Sequence, residues 1–178
     1  MRKFICISGK AQNGKDTSAK IFKNILNEAG YKVLIVHLAD LLKFICKQYF
    51  HWNGEKDEYG RTLLQRIGTE KIRAVEPDYW INFLDHLTKL FEGEWDYIIV
   101  PDTRFPNELT GIKHDDTIVY HVRVVRPGFK SPLTKEQQNH PSEVALDDIT
   151  PDFIIENKSD IIDLYPTIES IVNEIIRS

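Results

Sequence analysis

The chain has 178 residues, 42% hydrophobic and 28% charged, which suits one compact domain and leaves too little chain for two of full size. Lys plus Arg number 23 against 27 Asp plus Glu, giving a net charge of -4, so the global basic footprint of a duplex-binding protein is absent and no nucleic-acid partner is expected. The two cysteines, Cys6 and Cys46, lie in separate apolar runs without metal-ligand spacing, which predicts buried free thiols in a reducing compartment rather than a disulfide or zinc site.

The apolar run after Met1-Arg2-Lys3 stops at Ser8-Gly9, too early for a signal peptide, and no window approaches the length of a membrane span. A soluble cytoplasmic protein with no membrane partner is expected. Phe4–Ile7 reads as a buried strand, followed by a glycine-containing loop. Ile21, Phe22, Ile25, Leu26 and Ala29 recur at helical spacing up to a stop at Gly30. Val33–Val36 predicts a second strand, and Leu41 to Tyr49 another helix.

Residues 51–60 read as a loop and 61–75 as a helix despite Gly68. Asp78 is placed to cap a further helix, whose apolar face would be Tyr79, Trp80, Phe83, Leu84, Leu87, Leu90 and Phe91. Tyr97–Val100 predicts a third strand closed by Pro101-Asp102, and 117–125 a fourth. Residues 126–142 carry three prolines and one glycine among polar side chains, which predicts a mobile loop or lid. A fifth strand at 153–155 precedes a final helix from Ile161 to Ile175. Alternating strands and helices, with four of the five strands short and apolar throughout, predict an α/β three-layer fold. Its five-stranded, mainly parallel sheet is covered on both faces, with ligands beyond the carboxyl ends of the strands.

Gly9-Lys10-Ala11-Gln12-Asn13-Gly14-Lys15 fits G-x-x-x-x-G-K between a strand and a helix, the context of a phosphate-binding P-loop. Its glycines let backbone N–H groups wrap a phosphate, the helix N-terminus adds partial positive charge, and Lys15 reaches the outer phosphates. Asp16 stands where Ser or Thr usually follows the lysine, and Thr17 comes next. Asp16 either organises a metal or caps the helix.

Asp102, at a strand end, has the position of a carboxylate that holds magnesium through water, or forms an ion pair with Arg104. Asp40 and Lys43 follow the second strand in the same way. Arg61, Arg66 and Arg73 lie on one predicted helix, with Arg66 and Arg73 on a shared face. Arg123 and Arg126 flank the entry to the predicted lid, and His140-Pro141-Ser142-Glu143 ends it. Asn157-Lys158-Ser159-Asp160 also matches the guanine-reading N-K-x-D of GTPases. The D-x-x-G switch is missing, because Asp102-Thr103-Arg104-Phe105 ends without glycine, and ordinary turn chemistry accounts for the match.

The set GKAQNGKDT, LADLLK, GRTLLQRIGTEKIR, DYW, VPDTRFPNE and HPSE resembles the deoxynucleoside monophosphate kinases of bacteriophages, over nearly the whole chain. Related P-loop nucleoside monophosphate kinases and dephospho-coenzyme A kinases share the motif order. Asp16 departs from the general P-loop pattern but matches this family. The resemblance implies one P-loop kinase domain over 1–178, with a monophosphate-binding helical segment at about 40–92 and a lid at about 126–142.

It further implies ATP and magnesium as phosphoryl donor and a deoxynucleoside 5′-monophosphate as acceptor. Gly9, Lys10, Ala11, Gln12, Asn13, Gly14, Lys15, Asp16 and Thr17 would hold ATP. Asp40, Lys43, Arg61, Arg73, Trp80, Asp102 and Arg104 would shape the acceptor site. Lys15, Arg104 and Arg126 would act in transfer, and Asp16 and Asp102 would face the metal. A homodimer is compatible with the sequence. The rival readings are a GTPase-type switch, a dephospho-coenzyme A kinase-like enzyme and a non-catalytic nucleotide-binding module.

Overall fold

A computed structural model describes residues 1–158 and 161–178. Among these, β1 (Arg2–Ser8), β2 (Val33–Ile35), β3 (Tyr97–Val100), β4 (Thr117–Val125) and β5 (Phe153–Glu156) form one sheet in the order β2-β3-β1-β4-β5. Every neighbouring pair is parallel, so the sheet is wholly rather than mainly parallel. β1 is central, and its alternating side chains feed two cores. Ile5 and Ile7 pack with Phe22 and Leu26 and with Leu164, Ile168 and Val172, whereas Phe4 and Cys6 pack with Leu42, Leu63, Trp80 and Leu84. This double burial explains the unbroken apolar run of β1. Cys6 and Cys46 are buried free thiols.

The helices are α1 (Lys15–Glu28), α2 (Ala39–Tyr49), α3 (Glu58–Gln65), α4 (Tyr79–Leu90), α5 (Pro106–Thr110), α6 (Lys135–Gln138), α7 (Pro141–Val144) and α8 (Ile161–Arg177). From β1 the chain crosses to β2 on one side, and from β3 it returns past β1 to β4 on the other. This reversal opens a crevice at the carboxyl end of β1, where the P-loop begins.

Three local expectations are corrected. Arg66–Arg73 continues α3 as a π-helix. Its wider i→i+5 turns break the α-helical seven-residue rule, so Arg73 lines the cavity described below and Arg66 is exposed elsewhere. Asp78 does not cap α4; its Oδ1 accepts from Asn107 Nδ2 at 2.6 Å.

The inward face of α4 is Trp80, Ile81, Leu84, Asp85 and Thr88, while Phe83, Leu90 and Phe91 are exposed. The cause is Arg2, buried at the start of β1, whose Nη1 donates to Asp85 Oδ1 at 3.3 Å and Thr88 Oγ1 at 3.1 Å. A buried guanidinium needs partners, and supplying them fixes the rotation of the helix.

Candidate active site

The P-loop is held open by glycines. Gly9 has φ +142°, and a Cβ there would lie 2.3 Å from Val124 O. Gly14 has φ +102° and precedes α1, where a Cβ would lie 2.6 Å from Asn157 Nδ2. Gln12 also takes positive φ. Asn13 Nδ2 donates to Val124 O at 3.1 Å, and Asn157 Nδ2 donates to Asn13 O at 2.9 Å. Asn157, the first residue of the N-K-x-D match, therefore buttresses the P-loop. Ser159 and Asp160 of that match lie outside the described residues.

Lys15 folds back over the loop. Its Nζ donates to Gly9 O at 2.7 Å and Lys10 O at 2.9 Å. Burial, with Arg104 nearby, lowers its pKa to about 8. An ammonium this desolvated gains most from a polyanion placed beside it.

Asp16, in the first turn of α1, makes no capping bond there; its Oδ1 meets His37 Nε2 at 2.9 Å. That hydrogen bond is the main cause that lowers the Asp16 pKa and raises that of His37. Asp102 leaves the end of β3 and caps α2 from outside, its two oxygens accepting from Leu38 N and Ala39 N at 2.9 Å each. Leu38, at the helix N-cap, has no side-chain acceptor of its own, so a carboxylate from the neighbouring strand end satisfies those amides.

Beyond the P-loop lies a cavity of about 820 Å³. Lys15, Asp16, Lys43, Arg61, Arg73, Trp80, Asp102 and Arg104 line it, together with Ala11 and Gln12. Asp40 and Arg126 are outside that lining. Asp40 Oδ1 accepts from Lys43 Nζ at 2.8 Å, and Arg126 reaches Gln12 O at 3.4 Å while stacking on Phe129. Gly9, Lys10, Asn13 and Gly14 belong to the P-loop and Thr17 to α1, and they are outside the lining of the cavity.

The arginines differ in what they already hold. Arg73 Nη2 is 2.5 Å from Glu108 Oε1, Nη1 donates to Pro77 O and Asn107 Oδ1, and the guanidinium lies over Phe105. Glu108 Oε2 in turn accepts from Arg104 N at 2.6 Å and Phe105 N at 3.1 Å. Burial raises the Glu108 pKa, opposed chiefly by Arg73. Among the described residues, the side chain of Arg61 makes no hydrogen bond or ion pair, so its charge is available to the cavity.

Arg104 pairs with Glu143, not with Asp102, and also donates to Ser142 O at 2.9 Å. Trp80 Nε1 donates to Gly68 O at 3.2 Å, which ties the aromatic wall to the π-helix. Residues 126–142 are more structured than a featureless loop. They contain α6, Leu133 is buried against the cavity, and Gln137 Nε2 donates to Glu58 O and Thr62 Oγ1 of α3.

His37 directly follows the second predicted strand, but a lone histidine there carries no motif spacing that marks it. Glu108 and Glu143 lie within VPDTRFPNE and HPSE, where their long-range partners are invisible in the sequence. Among the described residues, no group of three or more His, Cys, Asp or Glu side chains is arranged to hold a metal by itself. No described helix is long and apolar enough to cross a membrane.

The family described as deoxynucleotide monophosphate kinase matches residues 41–168. A deoxynucleotide monophosphate kinase of Enterobacteria phage T4 is 34% identical over 122 residues. The match takes in 66% of this chain and 47% of the relative, so it spans about half the relative's length. An APS kinase from Mycobacterium tuberculosis superposes with TM-score 0.51 at 13% identity, covering 99% of this chain and 97% of that one. A sugar kinase from Janibacter sp. superposes with TM-score 0.54 at 12% identity, covering 93% and 91%. These two structures establish the α/β P-loop architecture; the acceptor has to be argued from the site.

Proposed function

Because the chain belongs to the deoxynucleotide monophosphate kinase family, we propose that it transfers the γ-phosphoryl group of ATP to a deoxynucleoside 5′-monophosphate. The observation that carries this reading is the convergence of Lys15 of the P-loop with Arg61 and Arg104 on one cavity of about 820 Å³. A donor triphosphate lies along Gly9–Thr17, and the acceptor sits between the Arg61–Trp80 wall and Arg104. An acceptor phosphate oxygen attacks the γ-phosphorus as the bond to the ADP leaving oxygen breaks. The acceptor oxygen is already anionic, so no general base is required, and rate comes from alignment and charge neutralisation. Lys15 leaves the loop carbonyls for the transferring group, and Arg126 approaches from the P-loop's other edge.

Magnesium suits the oxygen donors present. The side chain of Asp16 is 68% exposed at the start of α1, and only its Oδ1 is engaged by His37. Asp16, with Thr17 beside it, would hold the ion directly, and Asp102, whose oxygens cap α2, would act through water. The ion supplies neutralisation of β- and γ-phosphate charge.

In this reading residues 1–178 form one kinase domain, with the acceptor segment at 40–92 and the lid at 126–142. The enzyme acts in the cytoplasm, that of the infected cell if phage-encoded, on a small molecule rather than a nucleic acid. The decisive test is ADP release with ATP and magnesium across a panel of ribo- and deoxyribonucleoside monophosphates and dephospho-coenzyme A. Turnover with a deoxynucleoside monophosphate supports the reading. Turnover with none of the acceptors, despite nucleotide binding, refutes it, and replacing ATP by GTP tests the donor.

A further inference from the structure

Glu143 ends the HPSE motif, and its side chain is 6% exposed. It touches two parts of the site that the chain order keeps far apart. Oε2 accepts from Ala11 N of the P-loop at 3.0 Å, and Oε1 pairs with Arg104 Nη1. The backbone around it is fastened to the same two places. Lys10 Nζ donates to Glu143 O at 2.6 Å, and Arg104 Nη1 donates to Ser142 O at 2.9 Å. Lys10 also holds Asp147, just beyond α7, at 2.6 Å.

Among the described residues, every side-chain hydrogen bond of Arg104 uses Nη1. Nε and Nη2 form the other edge of a planar fork, the edge that binds a phosphate through two parallel hydrogen bonds. A guanidinium gripped on one edge by a carboxylate and a carbonyl presents its second edge in a fixed direction. A free arginine must lose rotamer entropy to do the same.

We propose that Glu143 is a positioning residue that fixes Arg104 relative to the P-loop, so that the acceptor phosphate is set in line with the donor. This role rests on the kinase reading above. Glu143 lines the cavity beside Arg104, and its role is exerted through Arg104 and the Ala11 amide, which hold both of its oxygens. Because it lies just after the 126–142 segment, the grip also ties the state of that segment to the alignment of the reacting groups. The carboxylate pairs with Arg104, accepts from the amide of Ala11 and lies near the Lys15 ammonium, so it is held between charge from the end of β3 and charge from the P-loop.

The test is a double-mutant cycle between Glu143 and Arg104, read in turnover with separate Michaelis constants for ATP and for the monophosphate. Glu143→Gln keeps the shape and an oxygen for the Ala11 amide while removing the charge that grips Arg104. It is expected to lower kcat/KM for the monophosphate by about tenfold or more, because small misalignment at a reacting centre costs rates of this order. The ATP Michaelis constant should stay within about twofold, and Glu143→Asp should recover part of the loss.

In an Arg104→Ala background, Glu143→Gln should add little, because the group it positions is gone. An equal loss from Glu143→Gln with and without Arg104, or a parallel rise in both Michaelis constants, overturns the positioning role while leaving the kinase reading intact. A wild-type protein that turns over no monophosphate overturns the kinase reading and this role with it. Thermal melts of each variant identify losses that are only unfolding.

Discussion

Lys15 shows how one side chain is prepared for a ligand. Its ammonium is buried against two loop carbonyls, and its pKa is lowered to about 8. Below that pH it is charged; above it, the free protein must take up a proton to present a cation. Polyphosphate binding restores the charged form, so ATP affinity should fall as pH rises past about 8. Calorimetric titrations near pH 8.5 in buffers of different ionisation enthalpy should register proton uptake, and Lys15→Ala should remove it. If Lys15 neutralises transition-state charge as proposed, the same variant should lose about 100-fold or more in turnover. Asp16→Asn separates two roles for the acid. Its structural partner is His37 rather than a helix amide, so the melting temperature should change little. The magnesium concentration for half-maximal rate should rise several-fold; an unchanged requirement removes Asp16 from the metal site.

At the scale of elements, the π-helix decides which arginines meet the cavity. Arg61 enters it from α3 without a protein partner among the described residues, whereas Arg73 enters it already bound to Glu108, the two side chains being 11% and 4% exposed. Arg61→Ala should therefore raise the monophosphate Michaelis constant at nearly unchanged stability. Arg73→Ala should lose about 3 kcal/mol or more of stability in urea melts, because it leaves a buried carboxylate without its cation. Equal stability of the two variants would refute this division. The 126–142 segment is likewise uneven. Gln137 docks on α3, while Pro127, Gly128 and Lys130 are exposed. Trypsin should cut after Lys130 in the free protein. ATP analogue plus monophosphate should slow that cut if the segment closes over the ligands, and cleavage indifferent to both would make it an ordinary surface loop.

For the whole molecule, the parallel sheet brings the ends of β1, β2 and β3 together, and the site is assembled from five separated stretches of chain, 11–20, 35–43, 56–80, 101–108 and 133–143. Ligands that join these stretches should stabilise the entire fold. At about 100 times its dissociation constant a single ligand adds about 2.7 kcal/mol. The acceptor should raise the melting temperature more in the presence of ATP analogue than alone, because the two share the Arg104–Glu143–P-loop connection. Strict additivity of the two shifts, read by calorimetry, would argue that the donor and acceptor regions are energetically separate.

Short-range chemistry was legible in the sequence. An apolar run, a glycine pattern and a lysine before a helix identify the P-loop because backbone approach to phosphate needs those residue types in that order. Strand and helix alternation likewise indicates a sheet covered on both faces. The partners were not legible. That Asp102 caps α2, that Arg73 is bound to Glu108, that Arg104 answers to Glu143 and that α4 turns Asp85 and Thr88 inward for Arg2 all follow from strand order and helix rotation. These pairings span 30 or more residues, and a charged side chain looks the same in sequence whether it faces a ligand, a helix end or another charge. Only the packed fold chooses among them, because burial leaves each polar group no alternative but the partner within reach.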